Sequence, residues 1–421
     1  MKPALAIDPP DWMAAPATVA VMAALSADGA GVRFVGGCVR DAVLGLAGRD
    51  VDIATPDAPD RVTALLEAAG IKAVPTGIDH GTVTAVTLDR HFEVTTLRRD
   101  IETDGRHAVV EYTDDWEADA ARRDFTINAL YADPDGTIYD PTGGLPDLEA
   151  GRLRFVGEPA QRIEEDALRI LRFFRFFAYY GQGQPDVASL EACEALAEQV
   201  RSLSAERVAT ELFRLLAAPD PMTALSMMAA AGVLQQVLPE ATRLEPLHVL
   251  LQIELSAELA PDALLRMATT VAAGEATGLK LAIAIADRLR LSNAQRRRLS
   301  ELLAPPFEIV PEMSDHEMHV GLYRVGRALF ADLVWLNWSR LGVSASFMPH
   351  INMAASWEIP KFTLRGDDVA DLGVDQGPEI GNLLHEVEAW WIAGDFAADR
   401  RACLRKLRDL ERQVAGGSAA V

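Results

Sequence analysis

The 421-residue sequence holds only three cysteines, Cys38, Cys193 and Cys403, far apart along the chain. That spacing supplies neither a disulfide framework nor a CxxC metal site. Long apolar runs are missing as well: none reaches the roughly 18 residues needed to cross a bilayer, so no membrane partner is expected. The first residues, MKPALAIDPPDWMAAP, put acids and prolines where a secretory leader needs a basic start and an apolar core. The expectation is a cytoplasmic protein. Positive charge is scarce too, with 40 Lys and Arg against 62 Asp and Glu and a formal net charge of −22. Such a balance argues against a polyanionic partner on average, but phosphates meet a local patch and not the mean. Three arginine-rich stretches supply candidates: RILRFFRF, DRLRLSNAQRRR and DRRACLRKLRDLER. The last two, around 288–298 and 400–412, read equally as solvated helix faces or as contacts to a phosphate backbone.

What the chain does contain, 49% hydrophobic and 24% charged residues, is the composition of a globular protein. Its length suits two to four domains. Residues 14–29 read as a helix, GVRFVGG as a short strand into a glycine turn, CVRDAVLGL as a helix and DVDIAT as a strand. DAPDRVTALLEAAG has a helical period closed by glycine, and TVTAVTL-DR-HFEVTTL alternates as a hairpin. The polar segment RRDIETDGRHAVVEYTDDWEADAARRD shows little periodicity and reads as a mobile loop. FTINALYAD and GTIYDPTGG restore sheet and turn. From Glu158 onward the pattern is helical, with EPAQRIEEDALRILRFFRFFAYYG reading as one long helix ended by Gly181. The expected fold class is α+β, a head with a small mixed sheet followed by an all-helical remainder.

Chemistry concentrates in the head. Asp50 and Asp52 bracket one valine, so a strand would aim both carboxylates to the same side. Like charges held together on a buried face need a cation; on a solvated edge strand they need none. The neighbours favour the first reading. Gly36 and Gly37, between a strand and a helix, let backbone N–H groups approach a phosphate closely, and Arg40 adds a charge-assisted contact. Hard carboxylate oxygens beside a phosphate cradle suit Mg²⁺. Glu93, on a neighbouring strand, offers a third acid, the set that two-metal phosphoryl transfer requires.

These residues resemble the polymerase-β-type nucleotidyltransferases, and most closely the branch holding bacterial and eukaryotic CCA-adding enzymes and bacterial poly(A) polymerases. GGCVRD and GRDVDIAT resemble that branch's first catalytic motif, and RRDFTINALY at 122–131 its second. The resemblance covers roughly residues 30–180. It implies a nucleotidyltransferase head over 1–150, a helical neck that selects the base over 151–235, and a helical body and tail that bind tRNA over 236–421. It also implies that Arg123 meets phosphate or ribose, Asp124 the ribose hydroxyls, and Arg172 and Arg175 the nucleotide. Substrates would be CTP, ATP and the tRNA 3′ end, with Mg²⁺ as cofactor and no obligate protein partner evident. The loop carrying Asp104 and Arg106 corresponds to one that accompanies the switch from C to A addition.

Asp166 and Arg169, three apart, share a helix face. On an exposed helix they would form a salt bridge of a few tenths of a kcal/mol. As a recognition pair they match cytosine and adenine, which both present an amino donor beside a ring-nitrogen acceptor. Uracil and guanine reverse that pattern and would leave buried groups unpaired. The resemblance places the base-selecting motif on this helix. The aromatics from Phe173 to Tyr180 read chiefly as packing, with base stacking as the alternative. SDHEMH, with Asp315, His316 and His319, lacks a further metal ligand nearby and reads as a helix start. Trp335, Trp338, Trp390 and Trp391 read as core. No histidine precedes an aspartate directly, so the His-Asp pair of the phosphohydrolase domain found in some relatives is absent. The alternatives to CCA addition are polyadenylation, which a strongly basic body would favour, addition of only CC or only A, and RNA binding without catalysis.

Overall fold

The computed structural model describes the chain except residues 49, 79–80, 105–106, 272–276, 343, 345, 375–376 and 419–421, and the side chains of 100–110 and 414–418. The chain forms two compact units, Met1–Ala241 and Thr242–Val421.

The first unit is built on an eight-stranded sheet in the order β1-β10-β9-β2-β3-β6-β5-β4. Its strands are β1 (Pro3–Ala6), β2 (Arg33–Val35), β3 (Val51–Thr55), β4 (Lys72–Gly77), β5 (Thr82–Val86), β6 (His91–Thr96), β9 (Tyr131–Ala132) and β10 (Thr137–Tyr139). A separate antiparallel ribbon pairs β7 (Arg98–Asp104) with β8 (His107–Tyr112). The large sheet is mixed, because β3 and β6 run parallel while their neighbours are antiparallel. Alternation settles which face each residue takes. Val51, Ile53, Phe92 and Val94 are buried, which turns Asp52 and its register partner Glu93 to the opposite face.

Two sequence expectations change. The polar segment after Leu97 is the β7–β8 ribbon followed by a helix, Trp116–Ala121. Its strands lack an apolar/polar alternation, the pattern that exposes a half-buried strand in a sequence. Residue 106 and the Asp104 side chain lie outside the described residues. The expected long helix is instead two, Pro159–Glu165 and Leu168–Tyr180. Asp166 breaks it with extended backbone angles (φ −155°, ψ 103°), and its carboxylate accepts the Leu168 N–H at 3.1 Å. An aspartate that bonds the backbone N–H two residues on competes with helix continuation and starts a new helix. The second helix buries Phe173, Phe174, Phe176 and Phe177, with Phe173 stacked on Phe155. These aromatics are packing.

The second unit is helical. Its longest helix, Asp315–Leu341, bends at Gly326, where φ is 77°, a conformation that glycine adopts without steric cost. Helices Pro378–Ala393 and Arg400–Ser418 enclose Val387, Trp391, Cys403 and Leu407. Of the tryptophans expected in the core, Trp391 is buried, Trp335 and Trp338 stack in partial burial, and Trp390 is exposed. No helix among the described residues is long and apolar enough to cross a membrane.

Inside this unit Arg266 and Glu254 form a buried pair. Arg266 Nε donates to both carboxylate oxygens at 3.2 and 3.0 Å, and Nη2 donates to Oε2 at 2.6 Å. Glu254→Ala is expected to lower stability by about 3 kcal/mol, because it removes the carboxylate partner of a buried guanidinium. The double change to Met and Leu should recover most of that loss. Urea unfolding of the three proteins checks both outcomes.

Candidate active site

β2 leads into Gly36, whose φ of 76° and ψ of −127° favour glycine. Its N–H donates to the Leu130 carbonyl at 3.0 Å, and the helix Gly37–Val43 starts directly behind it. One turn on, Arg40 is only 5% exposed and each guanidinium nitrogen has a protein acceptor. Nε donates to Asp41 at 2.9 Å, Nη1 to the Asn128 side-chain oxygen at 2.6 Å and Nη2 to the Tyr180 hydroxyl at 2.6 Å. Asp52 lies in β3, while Asp50 sits just ahead of the strand and is exposed. The Asp52 carboxyl is pushed up to about 6, first by burial and then by the nearby Glu93 carboxylate. Arg123 pulls it down and Asp50 pushes it further up.

The next layer is a chain of ion pairs. Arg123 donates to Asp119 Oδ2 from Nη2 at 3.0 Å, and Tyr131 donates to the same oxygen at 2.7 Å. Burial alone would raise Asp119, but Arg123 and Arg122 bring it down to about 2. Asp124 accepts from the Phe125 N–H at 2.9 Å and Asn128 Nδ2 at 3.1 Å through Oδ1, and from Arg172 Nε at 2.8 Å through Oδ2. Its burial is likewise outweighed by Arg172, which leaves it at about 2. Glu211, buried on the helix Ala205–Leu216, accepts from Arg175 Nε at 2.5 Å.

A cavity of about 400 Å³ collects these groups. Gly36, Gly37, Arg40, Asp50 and Asp52 line one part, Arg123, Asp124 and Asn128 another, and Arg172, Arg175, Phe176, Tyr179 and Tyr180 the rest. Nine sequence-predicted site residues therefore meet in one place. Three do not line it. Glu93 stands beside Asp52 across the β3–β6 ladder but is exposed. Asp166 and Arg169 are not partnered through their side chains, because the helix break separates them. Asp166 instead accepts from Arg207 at 2.7 Å, and Arg169 donates to Glu165 and to the Arg162 carbonyl, both at 2.6 Å. Sequence reasoning missed Asn128, Asp119 and Glu211. Only Asp119 carried a local signal, an acid four residues before Arg123 on a helical turn. His316 and His319 share Asp395 Oδ1 at 3.1 and 2.8 Å. Among the described residues, however, no group of three His, Cys, Asp or Glu is placed to hold a metal ion.

The depressed Asp124 carboxyl stabilises the fold above its unfolded value of 3.8, and that contribution is lost as pH falls toward 2. Asp124→Asn should cost about 2 kcal/mol at pH 7 and flatten the acid-unfolding profile between pH 4 and 2. Denaturant titrations across that range check it.

The chain is similar to known proteins over most of its length. Residues 32–154 match the poly A polymerase head domain, and residues 184–244 match the family described as "Probable RNA and SrmB- binding site of polymerase A". The mitochondrial CCA tRNA nucleotidyltransferase 1 of Mus musculus is 31% identical over 396 residues, covering 90% of this chain and 86% of that one. The CCA-adding enzyme of Streptococcus gordonii strain Challis is 31% identical over 402 residues, covering 92% and 96%. The crystal structure of the Bacillus stearothermophilus CCA-adding enzyme in complex with CTP superposes with a TM-score of 0.77 at 25% identity, covering 98% of this chain and all of that one. Nearly the whole chain is thus matched, in sequence and in fold, and it belongs to the family of CCA-adding enzymes, the CCA tRNA nucleotidyltransferases.

Proposed function

We propose that this nucleotidyltransferase adds or repairs the 3′-terminal CCA of tRNA from CTP and ATP, without a nucleic-acid template and with release of pyrophosphate. The observation that carries the reading is the single cavity in which the glycine turn, the paired aspartates, Arg123–Asp124 and the arginines of the Leu168–Tyr180 helix all meet. In the proposed division of labour, residues 1–150 are the catalytic head, 151–235 the neck and 236–421 the body and tail. Gly36, Gly37 and Arg40 hold the triphosphate. Arg123, steadied by Asp119 and Tyr131, neutralises phosphate charge, and Asp124 meets the ribose while held by Arg172. Arg172 and Arg175 complete the positive wall.

The family works with a divalent metal, and we propose Mg²⁺. Asp50 and Asp52 fit it by the chemistry of their donors, two hard carboxylates beside a phosphate cradle. With two acids rather than three in reach, the remaining positions fall to phosphate oxygens and water, and Glu93 assists across the ladder by its charge. Bound there, the metal supplies Lewis-acid stabilisation of the phosphoryl oxygens. Asp166 and Arg169 read the base edge. The Asp166 carboxylate keeps lone pairs beyond those used by Arg207 and Leu168, and Arg169 keeps Nε–H. That pair accepts cytosine or adenine and rejects uracil or guanine. A cytoplasmic site of action remains part of the proposal, and the mouse relative is named mitochondrial.

A tRNA transcript ending at its discriminator base should gain two residues with CTP, one more when ATP is added, and then stop. A long A tail on that tRNA and on unrelated RNA would favour polyadenylation. Asp50→Ala and Asp52→Ala should lower the rate at least a hundredfold while tRNA binding by filter assay persists. Loss of binding with activity would point away from a catalytic role. Millimolar Mg²⁺ should raise the melting temperature of the wild-type protein, and Asp52→Asn should abolish that rise in the same thermal-shift assay.

A further inference from the structure

Tyr180 ends the Leu168–Tyr180 helix, 140 residues from Arg40, yet it accepts a 2.6 Å hydrogen bond from Arg40 Nη2. Its ring lies against the same guanidinium, with the Arg40 Cζ 3.9 Å from the ring centre. Phe176 stacks behind Tyr180 at 5.9 Å and fixes the ring from one helical turn earlier. Arg40 then donates to Asn128, Asn128 to Asp124, and Asp124 is held by Arg172 on the helix that carries Tyr180. The result is a closed circuit of five side chains. It leaves and re-enters one helix at positions eight residues apart, about 12 Å along its axis. A guanidinium so fixed has lost its rotamer freedom before any ligand arrives, and a group held in its binding geometry need not be ordered on binding. The local sequence offers no reason for a tyrosine at a helix C-terminus to do this.

We infer that Tyr180 is a positioning residue for nucleotide binding, which aims the Arg40 guanidinium into the cavity and ties that aim to the Leu168–Tyr180 helix. This rests on the reading that the cavity holds CTP and ATP. Because Arg40 faces the triphosphate, which is common to both nucleotides, Tyr180 acts equally on the two and not on the choice between them.

Tyr180→Phe removes the hydroxyl and keeps the ring. Binding of CTP and of ATP, each with Mg²⁺, is measured by calorimetry, and kcat and KM by tRNA extension. The expected result is binding roughly tenfold weaker for both nucleotides, with KM raised to match, kcat within about twofold and the C-to-A selectivity unchanged. In an Arg40→Met background, Tyr180→Phe should have no further effect. If Arg40→Met fails to fold, the equal weakening of CTP and ATP by Tyr180→Phe alone decides. Wild-type affinity in Tyr180→Phe, a loss confined to one nucleotide, or a tenfold loss persisting without Arg40 would overturn the inference. Failure of the wild-type protein itself to bind either nucleotide would reject the cavity reading, and this inference with it.

Discussion

The contact between Asp124 and Arg172 joins the two halves of the chemistry. Asp124 lies between the helix Trp116–Ala121 and strand β9, and Arg172 belongs to the helix that packs its phenylalanines against Phe155. Asp124 is largely withdrawn from water and Arg172 partly so, with side chains 11% and 30% exposed, and each offsets the other's charge at the cavity wall. Once the pair is made, Asn128 is drawn to Asp124 and Arg40 to Asn128. Arg175, one turn beyond Arg172, meets Glu211. The walls of the cavity are set by this sequence of dependencies rather than by the sheet alone.

The sheet makes a separate contribution. Register places Asp52 beside Glu93, and burial followed by the Glu93 carboxylate pushes Asp52 up to about 6. The polypeptide thus brings acids and arginines into the walls of one cavity. In the proposed reading a nucleoside triphosphate complements this lining, its anionic phosphates meeting the guanidiniums and its divalent cation the carboxylates. An overall charge of −22 is no obstacle, because the field that a ligand meets inside the cavity is local.

How much of this was legible in the sequence depended on distance along the chain. Gly36–Gly37 and Asp50 and Asp52 are short motifs whose chemistry is carried by neighbours, Arg123–Asp124 was placed by the family resemblance, and the structure gathers all of them in one cavity. The mixed sheet and the helical remainder followed from hydrophobic period. The break at Asp166 was hidden, since the aspartate sits among the strong helix formers of EEDALR and only its bond to Leu168 N–H reveals the cap. The ribbon at 98–112 was hidden for another reason: its residues show no apolar/polar alternation to read. Glu211, Asn128 and the hydroxyl of Tyr180 act through partners 36 to 140 residues away, a distance over which single-sequence patterns carry no information.

The central claim is that one cavity holds the nucleotide by its phosphates near Gly36, Gly37 and Arg40, with its base turned toward Asp166 and Arg169. A crystal structure with CTP and Mg²⁺ tests it most directly. The account predicts the triphosphate against the glycine turn with the metal on Asp50 and Asp52, and the cytosine amino group on the Asp166 carboxylate. CTP bound outside this cavity, or inside it with the base edge far from Asp166 and Arg169, would contradict it.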